Sequence, residues 1–399
     1  MSTDTTVAPD FANEPLDVEL LDEIASIADG VIQKLKEGSS KEELVFKTGK
    51  VAQMAGRTPA AILRLYDPKY TKNPLPEPQK NSQGHRVFTL SDVIGVFDRI
   101  RKLPALQYNS DQGVKILAFL NYKGGAAKST SAIHQAHYLA KKGYRVLLVD
   151  LDPQGTTTSL SGFTPDYDFE LEDTLAGLYE TTDAASFDLR SRTIRIQNWP
   201  NLDLLPSNLL MQKTEFTARD TLKKTGHSVF ANLSTALQQV RSEYDVIIID
   251  PPPTLGMLSL SAQVAAEGLI VPLQPQMNDL ASTVQAIGLF AEQWDGHLQD
   301  FPKPKFIRFL MTNHRGSNAE KWCARQIRSI WNTLVLDNAF KHTPEIQGAA
   351  VQFSSIYELT QPVNSPETYR RAMYMTNAVC EEIEDLIVST WETKEGSTA

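Results

Sequence analysis

The sequence predicts an α/β protein, with a mostly parallel sheet covered by helices on both faces and a smaller α-helical part in front of it. Three observations carry this. Short, apolar, largely β-branched runs recur at 114–120, 145–150, 202–206, 246–250, 268–273 and 306–312, most of them separated by helix-compatible stretches; continuous apolar strands alternating with helices mark a parallel sheet buried on both sides. Before residue 109 that alternation is missing and amphipathic helical patterns take its place. The length, 399 residues, exceeds what one hydrophobic core usually supports.

Composition narrows the class. With 41% hydrophobic and 22% charged residues, and only 21 Gly and 22 Pro, the chain is neither fibrous nor disordered as a whole. A net charge of -9 argues against a protein that coats nucleic acid over its entire surface. The average hides a split, however: residues 1–43 carry -8, residues 44–105 carry +7, and the remainder carries -8. Cys323 and Cys380 are too few for a disulfide framework or a structural zinc site and fit a reducing compartment. No signal-peptide pattern and no run of 18 apolar residues is found, so a cytoplasmic protein is expected.

Residues 1–43 form the first segment. Leu16, Leu20, Ile24, Ile27, Val31 and Leu35 recur at three- and four-residue steps, which predicts one amphipathic helix ended by Gly38-Ser39-Ser40. Its stripe fits its own domain or a second subunit, and it is the candidate dimerisation helix.

Residues 44–108 form the second. The stretch 48–66 reads as a short helix, a tight turn at Gly56 and a second helix, with Thr58 as N-cap and Pro59 at the first helical position. Val51, Ala52, Ala55, Ile62 and Leu65 would face inward and Lys50, Arg57 and Arg64 outward, the spacing of a helix-turn-helix. After it, 67–84 is rich in Pro, Lys and Asn and reads as a loop, 86–90 as a short strand, and Ser91 as the cap of a helix running to about Leu103. Any helical hairpin could share this pattern. The local +7 favours a winged helix-turn-helix that binds DNA through Lys50, Arg57, Thr58 and Arg64.

Asn109-Ser110-Asp111-Gln112-Gly113 reads as a linker to the third segment, 109–399. There the strongest signal is Lys123-Gly124-Gly125-Ala126-Ala127-Lys128-Ser129-Thr130, placed after a strand and opening a helix at 129–142. Small residues let backbone N–H groups approach phosphate oxygens, the helix N-terminus adds its positive end, Lys128 supplies a charge to the β- and γ-phosphates, and Ser129 can ligate Mg²⁺. These are the features of a P-loop nucleotide site. Ala127 stands where a glycine is usual, and its Cβ would resist a positive φ and crowd the phosphates.

Three carboxylates accompany the loop. Asp250 ends an apolar strand, the place of a Walker B residue that holds Mg²⁺ beside Ser129. Asp150 and Asp152 end the run at 145–150, and alternation puts them on one side of it. One such Asp could merely cap a turn; three beside a phosphate loop point to the chemistry.

Lys123-Gly-Gly-x-x-Lys128-Ser resembles the deviant Walker A loop. With Asp150-Leu-Asp152-Pro-Gln-Gly, Asp250-Pro-Pro-Pro-Thr-Leu-Gly256 and Val271-Pro-Leu-Gln-Pro275 in this order, the chain resembles the ParA family of partition ATPases over roughly residues 45–395. Glu172-Asp-Thr-Leu175, Leu204-Leu-Pro-Ser207 and the N-terminal helix-turn-helix resemble its large plasmid-borne branch. The resemblance implies two subunits sandwiching two Mg·ATP, each Lys123 reaching the other subunit's phosphates, with Asp152 orienting the attacking water, Asp150 supporting the metal side and hydrolysis to ADP slow. It implies Asn313 and the 275–279 segment near the base, and Lys341, Arg370 and Arg371 in sequence-independent DNA binding by the ATP form, although plain solvated charge is the alternative for these three. It also implies a homodimer on the nucleoid, a ParB-like centromere-binding partner and repression of its own operon.

Competing readings are weaker or separable. No cysteine pair matches the cluster ligands of nitrogenase iron-protein relatives, and the acidic last helix argues against a membrane-bound relative. A transcriptional repressor whose site binds nucleotide but has lost hydrolysis through Ala127 differs from a partition ATPase in turnover alone.

Overall fold

The computed structural model describes residues 41–111, 113–225, 229–296 and 298–393, together with Ser26 and Gly30. Two units divide after Lys41. The candidate dimerisation helix lies outside the described residues apart from Ser26 and Gly30, which are helical.

In the second unit, Val45–Lys47 (β1) and Val87–Thr89 (β2) pair antiparallel, Phe46 opposite Phe88. Between them run Thr48–Ala55 (α1) and Pro59–Arg64 (α2). Gly56 ends α1 at φ 65°, with its N–H returned to Ala52 and Gln53, a left-handed cap that costs glycine little. Thr58 caps α2 by accepting from Ala61 N, and Pro59 takes the first helical position. Within the 67–86 stretch, Lys80 bridges to Arg86, and Asn81 Oδ1 accepts from Gln83 N and His85 N, closing a small hairpin beside β2.

Leu90–Arg99 (α3) follows β2 directly, and its cap is Thr89 rather than Ser91. Thr89 Oγ1 accepts from Asp92 N while Asp92 Oδ2 accepts from Thr89 N. Ser91 already lies inside the helix and has no such reciprocal partner three residues on. The helix also stops four residues short of the expected Leu103, where Arg101 takes a positive φ and Pro104 begins a separate turn. Tyr108–Asn109 (β3) pairs with Glu392–Thr393 (β12), Asn109 opposite Glu392, so the start of the expected linker is held by the far end of the chain.

The body is an eight-stranded sheet of Ile116–Phe119 (β4), Val146–Asp150 (β5), Ile194–Arg195 (β6), Leu202–Leu205 (β7), Val246–Asp250 (β8), Gly268–Leu273 (β9), Phe306–His314 (β10) and Phe340–Lys341 (β11). Their order is β11-β10-β9-β4-β8-β5-β7-β6. Neighbours run parallel except β6, which returns antiparallel on β7. The body's α-helices of five or more residues, among the described residues, are Lys128–Lys141 (α4), Thr156–Leu160 (α5), Thr214–Thr225 (α6), Asn232–Gln238 (α7), Met257–Ala265 (α8), Met277–Asp295 (α9), Asn318–Trp331 (α10), Pro344–Val351 (α11) and Pro366–Val388 (α12).

Alternate strand residues serve opposite faces. Leu117, Phe119, Leu148 and Ile248 enter one core with Ile133 of α4 and Ile383 of α12. Ile116, Leu147, Val149 and Ile249 enter the other with Leu233 of α7 and Leu258 of α8. The first core continues through Leu139 and Tyr144 into Val51, Ile62, Phe88 and Phe97, so the N-terminal helices and the sheet share one apolar interior. At the other end, α12 starts at Pro366, capped by Ser365, so Tyr369, Arg370 and Arg371 lie inside its first two turns.

Candidate functional site

The C-terminal edge of the central strands builds the site. Asp150 of β5 stands opposite Asp250 of β8, and β4 is in register with β8 on its other side. The loop that follows β4 thereby lies next to both carboxylates, where parallel sheets place ligands.

Ala127 is the residue before α4 and has φ 63° and ψ 34°. A non-glycine residue in this left-handed region costs roughly 1–2 kcal/mol, so its surroundings must hold it. Ser131 donates to Ala127 O through both N–H (2.9 Å) and Oγ (2.7 Å). Upstream, Thr312 Oγ1 donates to Ala126 O, Gln274 Nε2 donates to Gly125 O, and Asn121 Oδ1 accepts from Lys123 N. No side chain caps α4, which leaves its first-turn N–H groups without intrahelical acceptors and its positive end available to an anion.

Lys128 is buried, and burial lowers its pKa against the raising effect of Asp250 and Asp152. Asp250 is fully buried; burial raises its pKa to about 6, restrained by Lys128 and by hydrogen bonds from Ser129 and Thr157. Its Oδ2 accepts from Thr157 Oγ1 at 2.7 Å, whereas Oδ1 is buried without a partner. Asp150 differs. Its Oδ2 accepts from Thr158 N and Oγ1, and its Oδ1 accepts from Asp152 N; burial and then Asp250 hold its pKa well above the usual carboxylate range. Asp152 accepts from Gln154 N at 3.0 Å.

Among the described residues no group of three or more His, Cys, Asp or Glu side chains forms a metal cage. Mg²⁺ seldom needs one, since it keeps waters and relies on one or two carboxylates with substrate phosphates. The orphaned Asp250 Oδ1, in a carboxylate whose acidity Ser129 influences, fits that donor set.

The structure thus brings residues 123–130 together with Asp150, Asp152 and Asp250. Lys123 Nζ lies 2.6 Å from Asp279 Oδ2, in the first turn of α9. Asn313 lies within β10, which extends to His314, not after it; it lines a cavity of about 270 Å³ with Gln274, Gln276, Arg315, His342 and Gln347. Lys50, Arg57, Thr58 and Arg64 are exposed on the α1–α2 pair, and Arg64 lies over the Tyr70 ring. Lys341, on β11, lines a separate groove with Lys321, Arg325 and Arg328. Arg370 and Arg371 are exposed on α12 and do not line that groove. Sequence reasoning missed Thr157 and Thr158, and it held Asp279 only as the end of the 275–279 segment placed near the base, not as the partner of Lys123. The run Thr156-Thr-Thr158 after Asp152-Pro-Gln-Gly was the available signal for the first two; the pairing of Asp279 had none.

Residues 114–299 match a family model described as an AAA domain. The chain is 31% identical over 371 residues to a putative replication protein A of Sinorhizobium fredii, covering 88% of this chain and 87% of that protein. It is 30% identical over 328 residues to the protein SopA of Escherichia coli K12, covering 80% and 83%. The chain belongs to the ParA family of partition ATPases. A solved structure described as a partition protein shares the ParA-type fold with it at TM-score 0.64 and 19% identity, over 92% of this chain and 98% of that one. Among the described residues of this ParA-family chain, no helix is long and apolar enough to cross a membrane.

Proposed function

We propose that the protein is an ATP-dependent, DNA-binding partition ATPase that dimerises on nucleotide, answers to a ParB-like centromere-binding protein and represses its own operon. One observation carries the nucleotide part: Lys128, Ser129 and the unpaired oxygen of Asp250 converge at the open N-terminus of α4.

ATP is the substrate. Lys128 and the first-turn N–H groups of α4 bind its β- and γ-phosphates, and the partially desolvated Lys128 ammonium gains from the added negative charge. Ser129 and Asp250 would hold Mg²⁺, with Asp150 behind them fixing the 151–158 turn. Bound there, the ion would neutralise charge on the phosphate oxygens. Asp152, behind which the Gln154 N–H fixes one oxygen, orients the water that attacks the γ-phosphorus, and the bond to the β-phosphate oxygen breaks to give ADP and phosphate. Lys123, as in a deviant Walker A loop, leaves Asp279 to reach the partner's nucleotide. Loss of the γ-phosphate releases the sandwich, so turnover is a timer. The polar cavity beside Asn313 suits the base.

The winged helix-turn-helix of residues 44–108 reads the operator through Lys50, Arg57, Thr58 and Arg64. Lys341, Arg370 and Arg371 hold arbitrary DNA in the ATP form. Phosphate release is measured with DNA and the ParB-like partner, and Lys128→Ala serves as control. Stimulated release by the wild type alone is expected. Equal rates would leave a repressor that binds nucleotide without hydrolysing it.

A further inference from the structure

The helix that begins at the phosphate loop ends in a second cavity. α4 runs from Lys128 to Lys141, and beside Lys141 lies a cavity of about 280 Å³ between the N-terminal helices and the sheet domain. Four ammonium groups line it: Lys50 from α1, Lys102 from behind α3, and Lys141 and Lys142 from the end of α4. Among the described residues of the lining, Glu381 is the only carboxylate.

The four are unequally compensated. Lys142 pairs with Glu384. Lys102 Nζ donates to Met54 O at 2.6 Å, and Lys50 Nζ to Gln53 Oε1 at 3.0 Å, neither of which cancels a charge. Lys141 makes no hydrogen bond or ion pair among the described residues and rests over the rings of Phe46 and Tyr357 at 5.7 and 5.3 Å. Burial, then the neighbouring Lys50, lowers its pKa to about 8; burial, then Lys142 and Arg57, also lowers that of Lys102. Like charges gathered against apolar walls such as Phe97 and Met54 repel more strongly than they would in water, and a multiply charged anion removes that repulsion.

We infer that this cavity binds a free oligophosphate, a small anion carrying two or more phosphate groups, through Lys50, Lys102 and Lys141. Its volume stands just below the roughly 300–1,000 Å³ of pockets that take drug-sized ligands, which suits pyrophosphate or a small phosphorylated metabolite. Because Lys50 and Lys102 come from one side and Lys141 from the other, the anion ties the N-terminal helices to the helix that carries the phosphate loop.

Pyrophosphate is the probe, titrated calorimetrically into the full-length protein with its nucleotide site saturated by ADP. One ADP-insensitive site is expected. The double variant Lys102→Met/Lys141→Met should weaken it at least tenfold, and Lys303→Met, in the lining of a different cavity, should leave it unchanged. Should the double variant fail to fold, protection of Lys102 and Lys141 from reductive methylation by pyrophosphate, read by peptide mass spectrometry on the wild type, gives the same answer. Absence of ADP-insensitive binding, unchanged affinity in the folded double variant, or absence of protection would each overturn the inference.

Discussion

Lys123 Nζ stands 2.6 Å from Asp279 Oδ2. Asp279 is buried and its other oxygen has no partner, so Lys123 is the cation that compensates it. The lysine proposed to act on a partner's nucleotide is thus held by its own chain, and dimerisation must exchange one anion for another. Asp279→Asn keeps the shape but removes the competing charge. With a non-hydrolysable ATP analogue, the dimerisation midpoint should fall about tenfold in protein concentration, equivalent to about 1.4 kcal/mol. Sedimentation velocity reads this directly; an unmoved midpoint would make the pair purely architectural.

Ala127 tests the backbone of the phosphate loop. Its φ of 63° is held by the double bond from Ser131. Ala127→Gly should therefore change stability by no more than about 1 kcal/mol, since relief of strain is offset by the freedom glycine gains in the unfolded chain. Ala127→Val sets a β-branched side chain at positive φ and should cost more than about 2 kcal/mol along with nucleotide affinity. Thermal melts with and without ADP separate the two variants, and a tolerated valine would mean the loop relaxes freely.

Legibility in the sequence followed burial and chain distance. Five of the six strands that showed as apolar runs are buried at every residue, as in 246–250, and the sixth, β10, is buried over 309–312. The edge strands β6 and β11 are two residues each and carry no period. Thr89 and Ser91 are equally good caps in isolation; the choice lies in Asp92, three residues after Thr89, which closes the reciprocal bond. At the site, Lys128 and Asp250 were readable because a local loop and a strand end announce them. Asp279 answers Lys123 across 156 positions, and nothing local in Met277-Asn-Asp279 marks it. Asp150 was readable as a site carboxylate, but not that Thr158 and Asp152 would occupy its oxygens.

The two proposed DNA surfaces predict different losses. Arg57 and Arg64 are exposed on the α1–α2 pair, and Lys341 lies on the opposite edge strand of the large sheet from β6. Arg57→Ala should cost about 1–3 kcal/mol of operator binding with relaxed sequence preference if it reads a base, or flatten the salt slope by about one unit if it holds a phosphate. Lys341→Ala should leave operator binding intact and weaken ATP-dependent binding to random duplex. Filter binding at several salt concentrations distinguishes them, and the same loss in both variants would refute the division.

His134 should set part of the acid limit of stability. Its Nδ1 is 2.6 Å from Thr130 O, so that nitrogen carries the hydrogen, and Nε2 faces Ile356 N at 3.4 Å. Burial lowers its pKa from 6.5 to about 4, partly offset by the Thr130 bond. Between these values the unfolded chain takes up a proton that the folded chain refuses, so the contribution is present above pH 6.5 and is lost as pH falls through 4. At about 1.4 kcal/mol per unit, the loss approaches about 3 kcal/mol. Urea melts at pH 7.5, 6, 5 and 4.5 should show this slope in the wild type and a shallower one in His134→Gln. Because the folded chain itself takes up this proton only near pH 4, ADP binding should not follow the slope between pH 7.5 and 5. Parallel acid slopes for the two proteins would place the acid sensitivity in another group.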